Sequence, residues 1–113
     1  MNDCVFCRIA AGSIPADIVE RNDEAIVVRD LNPQAPTHLV VIPTRHFAHL
    51  GEFVEQASSD EVGRLFALAS RVGKRAGSEG YRVVVNEGEH GGQTVFHLHL
   101  HVLAGRRLQW PPG

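Results

Sequence analysis

The chain of 113 residues has only two cysteines, Cys4 and Cys7. They lie too close together to staple a fold, so in a reducing compartment they favour a metal or redox role over a structural disulfide. Charge of one sign is also lacking: the formal net charge is −2 with His neutral, and there is no run of like charges. That argues against a dedicated nucleic-acid surface or a polybasic membrane patch, and leaves a small solute as the better partner. No apolar stretch approaches the roughly 18 residues of a membrane span. The start Met1-Asn2-Asp3-Cys4 lacks the basic and apolar regions of a signal peptide, so a cytoplasmic location is expected. Without internal repeat, low-complexity tract or linker, residues 1–113 read as one domain, short enough for oligomerisation to help it.

The elements follow from periodicity and punctuation. A short N-terminal turn or helix is expected around Cys4 to Ala11. Asp17 to Arg21 and Ala25 to Asp30 flank the polar Asn22-Asp23-Glu24 and suggest a hairpin. His38 to Ile42, bracketed by Pro33, Pro36 and Pro43, reads as a third strand, because Pro sits at strand ends rather than in ladders. Ser58-x-x-Glu61 is a capping pattern that opens a helix carrying Val62, Leu65, Phe66, Ala69, Val72 and Ala76 at helical spacing and ending near Gly77. Tyr81 to Asn86 and Val95 to Ala104 make the last two strands. The fold class predicted is α+β: about five antiparallel strands with one long helix across a face.

Three histidines alternate with apolar residues in Val95-Phe96-His97-Leu98-His99-Leu100-His101-Val102-Leu103. In an extended strand His97, His99 and His101 project from one face, with Phe96, Leu98, Leu100 and Val102 on the other. Three readings compete for such a row. Neutral imidazoles are common metal ligands, and catalytic zinc is often held by three of them. Alternatively, one imidazole is a nucleophile toward phosphorus while its neighbours fix the tautomer and stabilise charge. The third reading is a set of solvated surface histidines. The loop upstream weighs toward phosphorus: Gly88, Gly91 and Gly92 let backbone amides approach an anion, and Thr94 offers a hydroxyl.

The segment His97-Leu98-His99-Leu100-His101-Val102-Leu103 resembles the signature of the histidine triad (HIT) superfamily. Asp30-Leu31-Asn32-Pro33-Gln34-Ala35-Pro36-Thr37-His38, Val84-Val85-Asn86-Glu87-Gly88, Gly91-Gly92-Gln93-Thr94-Val95 and Trp110-Pro111-Pro112-Gly113 are similar to its Hint branch. The resemblance implies a single HIT-like domain with a short N-terminal helix, assembled as a homodimer. It implies a protein that binds purine nucleoside 5′-monophosphates and hydrolyses the corresponding phosphoramidates, typically adenosine 5′-monophosphoramidates. Other triad hydrolases or transferases, acting on dinucleoside polyphosphates or nucleotidyl sugars, are the alternative within the superfamily. A nucleotide-sensing scaffold with incidental hydrolysis is the alternative outside it.

Carried over residue by residue, the resemblance makes His99 the nucleophile. His101 and the amides around Gly92 to Val95 stabilise phosphoryl oxygens, and His38 closes the polar network behind the triad. Thr94 stands where many members carry Ser, and its extra methyl restricts χ1. Asp30 takes the ribose hydroxyls; Phe6, Ile9, Val28 and Leu31 sandwich the base; Asn86 and Gln93 surround phosphate and ribose. Trp110 belongs to a tail expected to reach a neighbouring protomer's site. No cofactor is required for catalysis on this reading. Cys4, Cys7, His46 and His97 form a ligand set that suits structural zinc, a combination resembling that of some bacterial members. His49 and His90 match no role and are expected to be solvated.

Overall fold

The computed structural model describes residues 3–113. Its five strands are β1 (Ile18–Arg21), β2 (Ala25–Arg29), β3 (Thr37–Pro43), β4 (Tyr81–Val84) and β5 (Leu100–Ala104). They form one antiparallel sheet in the order β1-β2-β3-β5-β4. Helices α1 (Val5–Ala10), α2 (Leu50–Gln56) and α3 (Ser59–Ala76) complete the fold. No described helix is long and apolar enough to cross a membrane.

The hairpin turns where expected, with Asn22 Oδ1 accepting the N–H groups of Glu24 and Ala25 at 2.8 and 2.9 Å. The long helix also starts as its capping pattern requires: Ser58 Oγ accepts the Glu61 N–H at 3.1 Å. Its inward stripe is turned from the predicted one, away from Phe66 and toward Leu68. Leu65, Leu68, Ala69 and Val72 are buried, while Phe66 is half turned to solvent. Each large side chain buried on this face contributes about 1.5–3 kcal/mol. Contact is close at Gly73, where a Cβ would lie 2.4 Å from the Tyr81 ring.

The sheet has an apolar layer on each face. Leu98, Leu100 and Val102 join Phe47, Phe53 and the α3 residues in the larger core. Ile26, Val28, Val40 and Ile42 meet Ile9 and Phe6 of α1 in a smaller one.

Two expectations are corrected. The strand predicted over Val95 to Ala104 begins only at Leu100, because Val41 pairs with Leu100 and the ladder stops there. Upstream, Leu98 N–H donates to Phe47 O at 2.6 Å, and Pro43 O accepts from the His97 ring at 2.8 Å. The alternation of faces survives without the ladder, since Leu98, Leu100 and Val102 all reach the larger core. Phe96 does not: it is 58% exposed. The second correction is α2, which the sequence reading passed over. Its N-cap is His49, whose Nδ1 accepts the Glu52 N–H at 3.1 Å, so His49 is structural rather than merely solvated. Histidine is outside the usual capping set, which hid the signal.

Candidate active site and metal centre

His97, His99 and His38 each have one ring nitrogen engaged by a backbone group that can play only one part in a hydrogen bond, which fixes their tautomers and, through His38, that of His101. His99 Nδ1 lies 2.7 Å from His97 O. A carbonyl only accepts, so Nδ1 carries the proton and Nε2 of the neutral ring keeps its lone pair. His97 Nε2 lies 2.8 Å from Pro43 O, so it is the donor and Nδ1 carries the lone pair. At the other end, the Gln34 N–H donates to His38 Nδ1 at 3.1 Å. His38 of the neutral ring is therefore protonated on Nε2, which sits 2.9 Å from His101 Nδ1. His101 accepts there and so carries its proton on Nε2.

Neutrality of this relay follows from burial. Desolvation lowers the His38 pKa below its ordinary value against the opposing pull of Asp30. His101 is pushed down to about 4, first by desolvation and then by the neighbouring His99 and His38. Asp30 Oδ2 faces His38 Nε2 at 3.5 Å, a carboxylate beside a neutral imidazole. Its other oxygen accepts the Asn32 N–H at 2.8 Å, which holds the loop after β2.

Around the row the expected base-pocket residues fall into two groups. Phe6, Ile9 and Val28 share the smaller core, and the Phe6 ring meets that of His99 edge-on at 4.9 Å. Leu31, by contrast, is 96% exposed, with little of its side chain covered by this chain. Asn86 donates from Nδ2 to Gly91 O at 2.6 Å, and Gly92 and Thr94 lie exposed on the same loop, with Val95 half-buried. Gln93 departs from expectation. It is buried, both of its amide hydrogens go to the carbonyls of Ala48 and Val95, and its Oε1 takes the Gly88 N–H. Its side chain holds the loop in shape. Trp110 is 82% exposed on a tail tied back by Arg82, whose Nη2 donates to Gln109 O at 2.8 Å. His90 is exposed, as expected.

The second constellation uses the opposite nitrogen of His97. Its Nδ1 lies 3.1 Å from Cys4 Sγ and 3.4 Å from Cys7 Sγ, while His46 Nδ1 lies 3.3 Å from Cys7 Sγ. All four donor atoms are within 4.8 Å of one another. A tetrahedron with Zn–S near 2.3 Å and Zn–N near 2.0 Å has S···N edges of about 3.5 Å. Two thiols and two imidazoles at these separations fit zinc, with every position filled by protein. Cys4 also opens α1, accepting the Cys7 N–H at 3.4 Å.

Sequence reasoning had no access to the groups that set the tautomers, because Pro43 O, His97 O and the Gln34 N–H are backbone atoms. Hollows elsewhere on the chain, of about 350 Å³ over Phe53 and Leu65 and about 620 Å³ beside Tyr81 and Arg106, are lined by none of these histidines.

Fold and histidine geometry together define a histidine-triad protein, and comparison with known sequences agrees. The HIT domain model matches residues 11–108, so the chain belongs to the HIT family. It is 45% identical over 112 residues to an uncharacterized HIT-like protein of Synechococcus elongatus, covering 98% of this chain and 97% of that one. The crystal structure of a HIT family hydrolase from Legionella pneumophila Philadelphia 1 is similar with a TM-score of 0.92 and 43% identity, over 98% of this chain and all of that one. A zinc-bound histidine triad family protein from Mycobacterium smegmatis is similar with a TM-score of 0.79 and 30% identity, over 92% of this chain and 76% of that one.

Proposed function

We propose that this chain is a hydrolase of the Hint type, which binds purine nucleotides and cleaves nucleoside 5′-monophosphoramidates through a nucleotidyl group on His99. The observation that carries the reading is the 2.7 Å hydrogen bond from His99 Nδ1–H to His97 O, which leaves Nε2 as the nucleophilic nitrogen. The hydrolase name of the Legionella relative supports the reaction class.

In the proposed sequence His99 Nε2 attacks phosphorus, the P–N bond to the amine breaks, and the amine leaves with the bonding pair and takes up a proton. Thr94 supplies a hydroxyl beside that leaving group. Water then attacks phosphorus, the P–Nε2 bond breaks, and the monophosphate and neutral His99 are released. His101 Nε2–H and the amides of Thr94 and Val95 donate to the phosphoryl oxygens as charge builds, whereas the Gly92 and Gln93 N–H groups, expected in the same role, are taken by Glu89 O and Gly88 O within the loop. A neutral donor suits this task, since a fixed cation would also hold the anionic product. His38 holds His101 in its tautomer, Asp30 takes the ribose hydroxyls, and Phe6, Ile9, Val28 and Leu31 bracket the base, with Asn86 steadying the loop.

Cys4, Cys7, His46 and His97 would hold a structural zinc, which when bound cross-links α1 to the start of the triad. The zinc-bound Mycobacterium relative supports this assignment. The proposed assembly is a homodimer: β4 has a partner on one side only, and Leu31, Phe96 and Trp110 leave large apolar surfaces uncovered. A monomeric mass at micromolar concentration overturns that.

Brief mixing with adenosine 5′-monophosphoramidate, followed by intact mass and peptide mapping, tests the chemistry. The expected result is one adenylyl group on His99 and release of the monophosphate without added metal. Preferential turnover of dinucleoside polyphosphates or nucleotidyl sugars reassigns the substrate, and absence of any adduct in single turnover overturns the mechanism.

A further inference from the structure

Between Asn86 and Phe96 the chain is half-buried or exposed at every residue but one. That residue is Gln93, 6% exposed. Its side chain makes three hydrogen bonds: Nε2 donates to Ala48 O at 2.7 Å and to Val95 O at 3.1 Å, and Oε1 accepts the Gly88 N–H at 3.0 Å. Its own backbone N–H donates to Gly88 O, also at 3.0 Å. Gly88 is therefore gripped at both its N–H and its C=O by one residue five positions on.

The rest of the loop is folded tightly between those grips. Gly88 and Gly92 have φ of +76° and +83°, and a Cβ at Gly91 would come within 2.2 Å of Glu87 O. The anchor is equally defined. Ala48 follows Phe47, whose carbonyl takes the Leu98 N–H at 2.6 Å between His97 and His99. It precedes α2, where the Gly51 N–H donates to Glu87 Oε1 at 2.8 Å. The loop and the segment that docks the triad are thereby clamped at two points, one buried and one at the surface.

We propose that Gln93 is a positioning residue for the phosphoryl group: its buried amide fixes the 88–95 loop to the 46–49 segment, so that the N–H groups of Thr94 and Val95, which the loop's own hydrogen bonds leave over, are aimed before an anion arrives. The inference rests on the reading of that loop as the phosphoryl subsite. Orienting donors in advance removes the cost of ordering them on binding, and that gain goes to the charged part of the ligand alone. The amide is suited to the task because it offers two donors and an acceptor at once. A carboxylate keeps the acceptor but sets negative charge against two carbonyl oxygens, and a thioether of similar length makes none of the three bonds.

The test compares adenosine and adenosine 5′-monophosphate by calorimetric titration of the wild-type protein, Gln93→Met and Gln93→Glu. The wild type is expected to bind the monophosphate more tightly than the nucleoside. Both variants should lose at least tenfold in affinity for the monophosphate while adenosine stays within about threefold, and kcat on the phosphoramidate should fall with them. Parallel weakening of both ligands, as a purely structural role would give, overturns the inference, as does a retained preference for the monophosphate. A wild-type protein that binds the two alike overturns the phosphate reading itself, and the inference with it. One measurement needs no variant: in the wild type the Gly88 amide should exchange with solvent at least tenfold more slowly than those of Glu89 and His90. Equal rates count against the clamp.

Discussion

The two ends of the histidine row use the same side chain in opposite ways. His97 is completely buried, donates its Nε2–H to Pro43 O, and turns Nδ1 toward two cysteines and His46. His101 accepts at Nδ1 from His38 and so carries its proton on Nε2. One end offers a lone pair that suits a metal ion, the other a proton that suits a phosphoryl oxygen. Between them His99 has Nδ1–H engaged, and its neutral ring keeps the lone pair on Nε2. The difference lies in what each second nitrogen touches rather than in the imidazole.

The sharpest way to break this comparison is to remove the middle ring. His99→Ala should lower single-turnover hydrolysis by about three orders of magnitude or more and abolish the adduct, because the two-step route goes with the nucleophile. Near-normal turnover in that variant would show that the row's asymmetry does not serve covalent chemistry. Disabling the metal end comes next. Cys4→Ala should lose bound zinc, expected at about one per chain in the parent, and lower Tm by about 8 °C or more while retaining measurable turnover. Loss of all chemistry with the fold intact on chelation would instead make the metal catalytic.

The relay end is probed by pH. Because the folded-state pKa of His101 is depressed to about 4, the unfolded chain binds a proton that the folded chain does not between that value and the ordinary histidine pKa near 6.5. Stability should therefore fall as pH drops through this window, by up to about 3 kcal/mol from this group. His101→Gln should flatten the slope in denaturant titrations, and identical slopes would mean that the ring is not held neutral. The smallest effect is expected at the far side of the relay. Asp30→Asn should reduce the preference for ribose over 2′-deoxyribose substrates about tenfold in kcat/KM, since a hydroxyl's acceptor is weakened. Unchanged discrimination would leave Asp30 only its turn, in which Oδ1 accepts the Asn32 N–H.

Much of the scaffold was legible because it depends on local pattern. The capping pair Ser58 and Glu61 and the helical spacing behind it gave α3 from Ser59 to Ala76. Alternation gave the inward Leu98, Leu100 and Val102. What misled was equally local. Phe96 continues the alternation on paper, but the ladder stops at Leu100, so nothing holds Phe96 against the sheet. His49 carries no usual capping signal and so concealed α2. Gln93 belongs to a glycine-rich loop that reads as a phosphate contact, and its burial depends on Ala48, which is remote in sequence.

By itself the sequence determined the inventory and its spacing: three imidazoles on alternate residues, a cysteine pair at the start of a short helix, and glycines ahead of the row. These follow from residue chemistry and from the two-residue repeat of extended chain. Only the tertiary structure decided which nitrogen of each ring carries the proton, and so which imidazole suits metal, attack or donation. The deciding partners are Pro43 O, His97 O and the Gln34 N–H. They are backbone groups that every residue possesses, and they acquire meaning only when folding brings β3, its preceding loop and the triad segment together.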